Sequence, residues 1–207
     1  GMWILTFHST CARILRREHN HLGIPSSFTI YDDGDTERLI AGVLKDLDLD
    51  PKRFPPKAMA SAIGRAKDQV MDADQYSRSA DNFYEETIAR VYSEYERRKH
   101  AAGALDFDDL ITQTVQLFKL HPEVLEHYQE RFRYILVDEY QDTNRAQYQL
   151  VNMLASRYRN VCVVGDADQG VYSWRGATIK NILDFERDYP DAAVFLMEQN
   201  YRSTQNI

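Results

Sequence analysis

The sequence predicts an α/β protein: a partial parallel sheet with flanking helices, preceded by an all-helical region. Two observations carry this. Tyr134–Val137, Val161–Val164 and Ala193–Leu196 are short β-branched or apolar runs without alternation, separated by helical patterns at about 144–158 and 177–189. Strands of that kind belong to parallel sheets covered on both faces. Before residue 131 no run reads as a central strand, and the spacing is helical almost throughout.

The elements follow in order. Residues 3–7, Trp-Ile-Leu-Thr-Phe, read as a strand or as the approach to a helix. Helical spacing runs from His8 to Leu22 and ends at Gly23-Ile24-Pro25. The Asp/Gly/Thr cluster opening 32–47 predicts a capped helix. Pro51, Pro55 and Pro56 make a break. Helices are predicted at about 56–71, 80–102 and 106–131, the last interrupted near His121-Pro122. The division is therefore a helical part, 1–131, and an α/β part, 132–207. Three strands make a small parallel sheet. The chain opens at Gly1-Met2-Trp3 on the edge of an element and stops at Gln205-Asn206-Ile207 without a terminator, so both ends read as cut.

Composition narrows the function classes. The 207 residues are 43% hydrophobic and 28% charged, as in ordinary soluble domains. No apolar run approaches the ~20 residues of a membrane span, and no secretory leader is visible, so a cytoplasmic protein without membrane contact is expected. Cys11 and Cys162 read as buried reduced thiols. A net charge of -7 argues against nucleic-acid binding by bulk charge. A local basic groove remains open, because Arg13, Arg16 and Arg17 cluster. The second cluster, Arg97-Arg98-Lys99, lies beside Glu94 and Glu96 and reads as a solvated helix face.

The chemistry concentrates at the predicted strand ends. Ile135-Leu136-Val137 leads into Asp138-Glu139, then Tyr140-Gln141-Asp142-Thr143-Asn144. One carboxylate there can hold Mg²⁺, and the next can orient and deprotonate an attacking water. An exposed Asp-Glu pair is common in itself, but Gln141-Asp142 adds more charge than a turn requires. The second strand ends in Gly165-Asp166-Ala167-Asp168-Gln169, at the edge where parallel sheets bind ligands. Gln169 could reach a terminal phosphate or its water; a plain tight turn is the bland alternative. Tyr172-Ser173-Trp174-Arg175-Gly176 interleaves aromatics with an arginine, which suits stacking on unpaired bases. A Trp packed beneath the sheet is its bland counterpart. Gln199-Asn200-Tyr201-Arg202-Ser203-Thr204 offers an arginine for phosphoryl charge and a tyrosine for a purine.

These clusters, in this order, resemble the UvrD/PcrA/Rep group of superfamily 1 DNA helicases. The resemblance rests on Val-Asp-Glu-Tyr-Gln-Asp-Thr-Asn (137–144), Val-Val-Gly-Asp-Ala-Asp-Gln-Gly-Val-Tyr-Ser-Trp-Arg-Gly-Ala (163–177) and Glu-Gln-Asn-Tyr-Arg-Ser-Thr (198–204). Thr6-Phe7-His8-Ser9 and Leu105-Asp106-Phe107-Asp108-Asp109-Leu110 also match the set, so the likeness spans essentially the whole chain.

The resemblance implies a partial RecA-like motor domain with a helical insertion, using ATP and Mg²⁺ to move on single-stranded DNA and open single-strand/duplex junctions in replication or repair. It implies that Asp138 holds Mg²⁺, Glu139 is the base, Gln169 senses the terminal phosphate, Arg202 contacts that phosphate and Tyr201 stacks on adenine. Thr6 and His8 would touch the DNA backbone; Tyr172, Trp174 and Arg175 would touch the single strand. The helical part would guide DNA.

Two departures stand out. Ser-Ile is usual where Gly170-Val171 stands. The family's Gly-x-x-x-x-Gly-Lys-Ser/Thr phosphate loop is absent from the 207 residues, so this chain alone is expected to be inactive as an ATPase. A helicase–nuclease subunit and a non-catalytic DNA- or protein-binding module are the alternatives.

Overall fold

The first helix, α1 (Phe7–Arg17), begins where the Thr6 hydroxyl accepts the Ser9 backbone N–H at 3.2 Å. That cap settles the role of residues 3–7, which approach a helix and form no strand. A short helix, α2 (His19–Leu22), stops at Gly23, whose φ of 64° lies in the left-handed region. The structure is a computed structural model in which residues 1–166, 180–197 and 199 are described. The candidate residues Gln169, Tyr172, Trp174, Arg175, Tyr201 and Arg202 lie outside them, as does the Gly170-Val171 departure.

The next helix, α3 (Asp33–Asp46), is opened by a reciprocal capping box between Asp32 and Asp35. Pro56 does more than break the chain. It occupies the first position of α4 (Pro56–Asp68), where a missing N–H costs nothing. A short helix the spacing did not predict, α5 (Ala73–Ser79), is capped by Asp72 and Gln75. Helix α6 (Phe83–Ala101) follows. Then α7 (Phe107–Leu120) and α8 (Pro122–Arg131) divide at His121-Pro122, as the proline requires. Helices α3, α4 and α6 bury a common core that includes Ile40, Leu44, Met59, Ile63, Ile88 and Tyr95.

One correction falls in this helical half. Thr29–Tyr31 (β1) and Ala104–Asp106 (β2) pair in parallel, with Ile30 opposite Leu105. Every residue of β2 is buried. Three residues between two helices give no periodicity to read, and Asp106 also serves as the N-cap of α7.

In the second half Ile135–Val137 (β3) and Val161–Val163 (β4) pair in parallel, joined by α9 (Arg145–Ala155) and followed by α10 (Lys180–Asp188). Helix α9 is shared. Its Ala146, Leu150 and Leu154 join the core of α1, α7 and α8. Val151 and Ala155 pack instead with Val137, Tyr140 and Phe185. The architecture is mixed α/β, mostly helical, with short parallel pairs, as the fold class predicted.

Two further expectations fail. Ala193–Leu196 is not a strand: no described strand pairs with it, and Val194, Phe195 and Leu196 are 67%, 86% and 80% exposed. Cys162 is exposed, because the pleat turns Val161 and Val163 toward the core and Cys162 the other way, beside exposed Leu136. Cys11 is buried as expected, and burial pushes its thiol up to about 12. Both cysteines are free. Among the described residues no helix is long and apolar enough to cross a membrane.

Candidate functional site at the strand ends

Asp138 and Glu139 stand immediately after β3, at the carboxyl edge of the parallel pair, and both are exposed. Glu139 takes a left-handed backbone, φ 50° and ψ 45°, which a residue with a Cβ adopts at a cost of about 1 kcal/mol or more. The kink turns the chain into a short 3₁₀ turn, Tyr140–Asp142. It also lets the Glu139 N–H donate to Asp138 Oδ1 at 3.0 Å. Among the described residues no lysine, arginine or histidine forms an ion pair with either carboxylate.

Gln141 ties this acid pair to the neighbouring strand end. Its side chain is 2% exposed. Its Nε2 donates to Glu139 Oε2 at 2.6 Å, and its Oε1 accepts the Asp166 backbone N–H at 3.0 Å. The backbone continues the link: Tyr140 N–H reaches Val164 O, and Val164 N–H reaches Val137 O, both at 2.9 Å. Gly165 lies so close that a Cβ there would sit 2.8 Å from Gln141 Oε1. The glycine is thus needed for close approach. In the sequence alone Gln141 reads only as added polarity beside the acid pair. Its signal was a glutamine two residues past an acid pair, too weak to read without the fold.

Thr6 and His8 stand at the N-terminus of α1, where the helix dipole favours an anion and no acidic residue occupies the first turn. His8 packs edge-on against Phe107, ring centroids 5.7 Å apart, and Phe107 is 46% exposed at the start of α7. An aromatic left half in water beside a histidine is a further candidate base-stacking group. Both rings line a groove of about 1280 Å³. Its walls are α3, α4, the β2–α7 junction and the loop after β3, which contributes Asp142 and Asn144. Asn144 Nδ2 donates to Asp68 across it. Carboxylates outnumber cations along the lining, so it is no simple phosphate channel.

The Leu105–Leu110 run supplies a different structure. Asp106 and Asp109 cap α7 reciprocally and bury their carboxylates. Lys67 of α4 reaches Asp106, Asp109 and Glu96 at 2.6, 2.7 and 2.8 Å. Lys99 of α6 reaches the same three groups at 2.8, 2.5 and 2.7 Å. Tyr95 donates its hydroxyl to Asp106 at 2.8 Å. Burial opposes charge on Asp106, but Lys67 and Lys99 outweigh it and hold the carboxyl below its ordinary range. Burial likewise opposes charge on Lys67, and Asp106, Asp109 and Glu96 more than reverse it. Lys99 is 1% exposed, so the expected solvated face at Arg97-Arg98-Lys99 is corrected: Arg97 and Arg98 pair with Glu94, while Lys99 turns inward. The first basic cluster is also committed locally. Arg13 and Arg17 lie over the Trp3 ring, and Arg16 over Phe28.

Comparison with known proteins places the chain in a family. Residues 1–190 match the UvrD/REP helicase N-terminal domain. The whole chain is 52% identical to the ATP-dependent DNA helicase PcrA of Bacillus subtilis (strain 168), over 28% of that protein's length. It is 50% identical to proteins of the same name from Staphylococcus epidermidis and Staphylococcus aureus, again over 28% of their lengths. The chain thus spans less than a third of these relatives, and it belongs to the UvrD/REP helicase N-terminal domain family.

Proposed function

We propose that this chain supplies the catalytic carboxylates and part of the DNA track of an ATP-dependent DNA helicase. The observation that carries the reading is the exposed Asp138-Glu139 pair at the end of a parallel strand, tied through Gln141 to the next strand end. The PcrA relatives, whose name includes ATP-dependent DNA helicase, support it.

Hard carboxylate oxygens at a strand edge fit Mg²⁺, which usually takes one or two carboxylates and completes its shell with water and substrate phosphates. Asp138 would hold that ion, which when bound offsets charge on phosphate oxygens. Glu139 would take the proton of the attacking water, with Gln141 fixing one of its oxygens. Gln169 would align that water, Arg202 would meet the terminal phosphate, and Tyr201 would stack on adenine. Thr6 and His8 would hold the DNA backbone at the start of α1. Phe107, Tyr172 and Trp174 would stack on bases, with Arg175 on a neighbouring phosphate. Residues 1–131, with the β1–β2 pair inside them, would form the insertion, and 132–207 the motor portion. The protein would act in the cytoplasm, in replication or repair, on single strands and their junctions with duplex.

The test is strand displacement. Full-length protein with ATP and Mg²⁺ separates a duplex carrying a single-stranded tail, and no ATP-dependent displacement on either tail polarity would overturn the reading. The 207-residue chain by itself, lacking a Gly-Lys-Ser/Thr loop, is expected to show no ATP turnover. DNA-stimulated turnover by the isolated chain, lost in Glu139→Gln, would contradict that part. Its residual single-strand binding weakens with salt and falls in Trp174→Ala.

A further inference from the structure

Outside the strand ends, two groups of side chains among the described residues bring metal-ligating atoms together. Glu96, Asp106 and Asp109 form one. Their cations are already built in, because Lys67 and Lys99 sit among them. The other group has no built-in cation. His21 of α2, His121 at the α7–α8 junction and Glu123 of α8 each place one donor atom within 4.8 Å of the others. His21 and Glu123 are exposed and His121 is half-buried, so the cluster opens to solvent. Among the described residues no lysine or arginine forms an ion pair with Glu123 or with nearby Glu18.

The three donor atoms are gathered within 4.8 Å, so modest side-chain movement brings them onto one ion. His121 Nδ1 and Glu123 Oε1 are hydrogen-bonded at 3.2 Å, a contact that a bound ion would replace. Adjacent ligands of a tetrahedral zinc ion, at bond lengths of about 2.0–2.1 Å, are roughly 3.3–3.4 Å apart. The His21 and His121 rings lie 4.6 Å apart, tilted by 60°. The backbone fixes both histidines. Gly23 closes α2 just after His21, and the His121 N–H bonds Leu117 O at 2.9 Å before Pro122 opens α8. Glu18 stands behind His21, with Oε2 3.8 Å from His21 Nε2 while Oε1 accepts the Tyr128 hydroxyl at 2.9 Å.

We propose that His21, His121 and Glu123 form a site for a divalent transition-metal ion of the zinc class. Two imidazoles and one carboxylate suit Zn²⁺ or Co²⁺ and disfavour Mg²⁺ and Ca²⁺, which take oxygen. The ion would fasten α2 to the α7–α8 junction, joining segments far apart in sequence, and is separate from any ion held with nucleotide at Asp138. Bound metal would raise the melting temperature.

The experiment is calorimetric titration of the tag-free chain with ZnCl₂, paired with CoCl₂ and visible absorption. Saturable binding near one equivalent is expected, with a tetrahedral Co²⁺ spectrum and no competition from excess Mg²⁺. His21→Ala and His121→Ala should each weaken Zn²⁺ binding by about tenfold or more. His100→Ala, another exposed histidine, should bind as the parent does. All three substitutions are at or near the surface, and circular dichroism checks the fold. No saturable binding by the parent, unchanged affinity in His21→Ala and His121→Ala, or equal weakening in His100→Ala would overturn the proposal.

Discussion

Two short strands of this molecule end in acids, and the acids meet opposite fates. Strand β2 runs into Asp106-Phe107-Asp108-Asp109, and β3 runs into Asp138-Glu139. At β2 Asp106 and Asp109 turn inward, cap α7 and take Lys67 and Lys99 as buried partners. At β3 the backbone kinks into the left-handed region, and both carboxylates stay in water without an ion-pair partner among the described residues. The local sequences are similar; the difference lies in what comes from far away. Lys67 precedes its aspartates by some forty residues, and among the described residues no cation reaches the β3 acids. Carboxylates compensated from within hold the fold together, and those left uncompensated at a strand edge are available to a cation and a water.

The largest effect on stability is expected where compensation is removed. Lys67→Met leaves buried Asp106 and Asp109 short of one cation and should cost about 3–5 kcal/mol in urea unfolding. A loss under about 1 kcal/mol would erase the contrast between the two acid groups.

Next comes the seam between the strand ends. In Gly165→Ala the new methyl crowds buried Gln141, which cannot move without losing Asp166 or Glu139. A loss of about 1–3 kcal/mol is expected from thermal unfolding. An unchanged melting curve would mean that Gln141 is not held as described.

A smaller effect depends on pH. Burial first, and then nearby Asp106, push the Asp108 carboxyl up to about 7. The folded chain therefore keeps a proton that the unfolded chain releases near pH 4. The stability this contributes is fully present below that pH and is lost as pH rises through 7. Asp108→Asn, neutral throughout, should match the parent near pH 4 and exceed it at pH 8. The gain should be about 1–2 kcal/mol, less than a full shift would give because Asp108 is partly open to the groove. Parallel stability–pH curves for the two proteins would remove Asp108 from the account. The smallest change belongs to Glu139→Gln, an isosteric swap at an exposed position, within about 0.5 kcal/mol of the parent.

How much of this could be read in advance follows from range. The helices carried local signals: Asp32 with Asp35, Pro56 at a helix start and Pro122 at a break. The strand-end acids stood out because β3 is an unalternated apolar run that stops at a charge. What escaped depended on distant partners. Strand β2 exists because Thr29–Tyr31 lies beside it. Lys99 is buried because Asp106 of β2 and Asp109 of α7 meet it. Cys162 is exposed because the pleat faces it away from the core. Gln141 gains its role only when Asp166 and Gly165 arrive from the next strand.

The central claim, that the uncompensated acid pair does the chemistry, is tested most directly in full-length protein carrying Glu139→Gln. DNA-stimulated ATP turnover and thermal unfolding should be measured on the same preparation. The account predicts turnover reduced by about 10²–10⁴-fold with the melting temperature unmoved. Turnover within about twofold of the parent would contradict it.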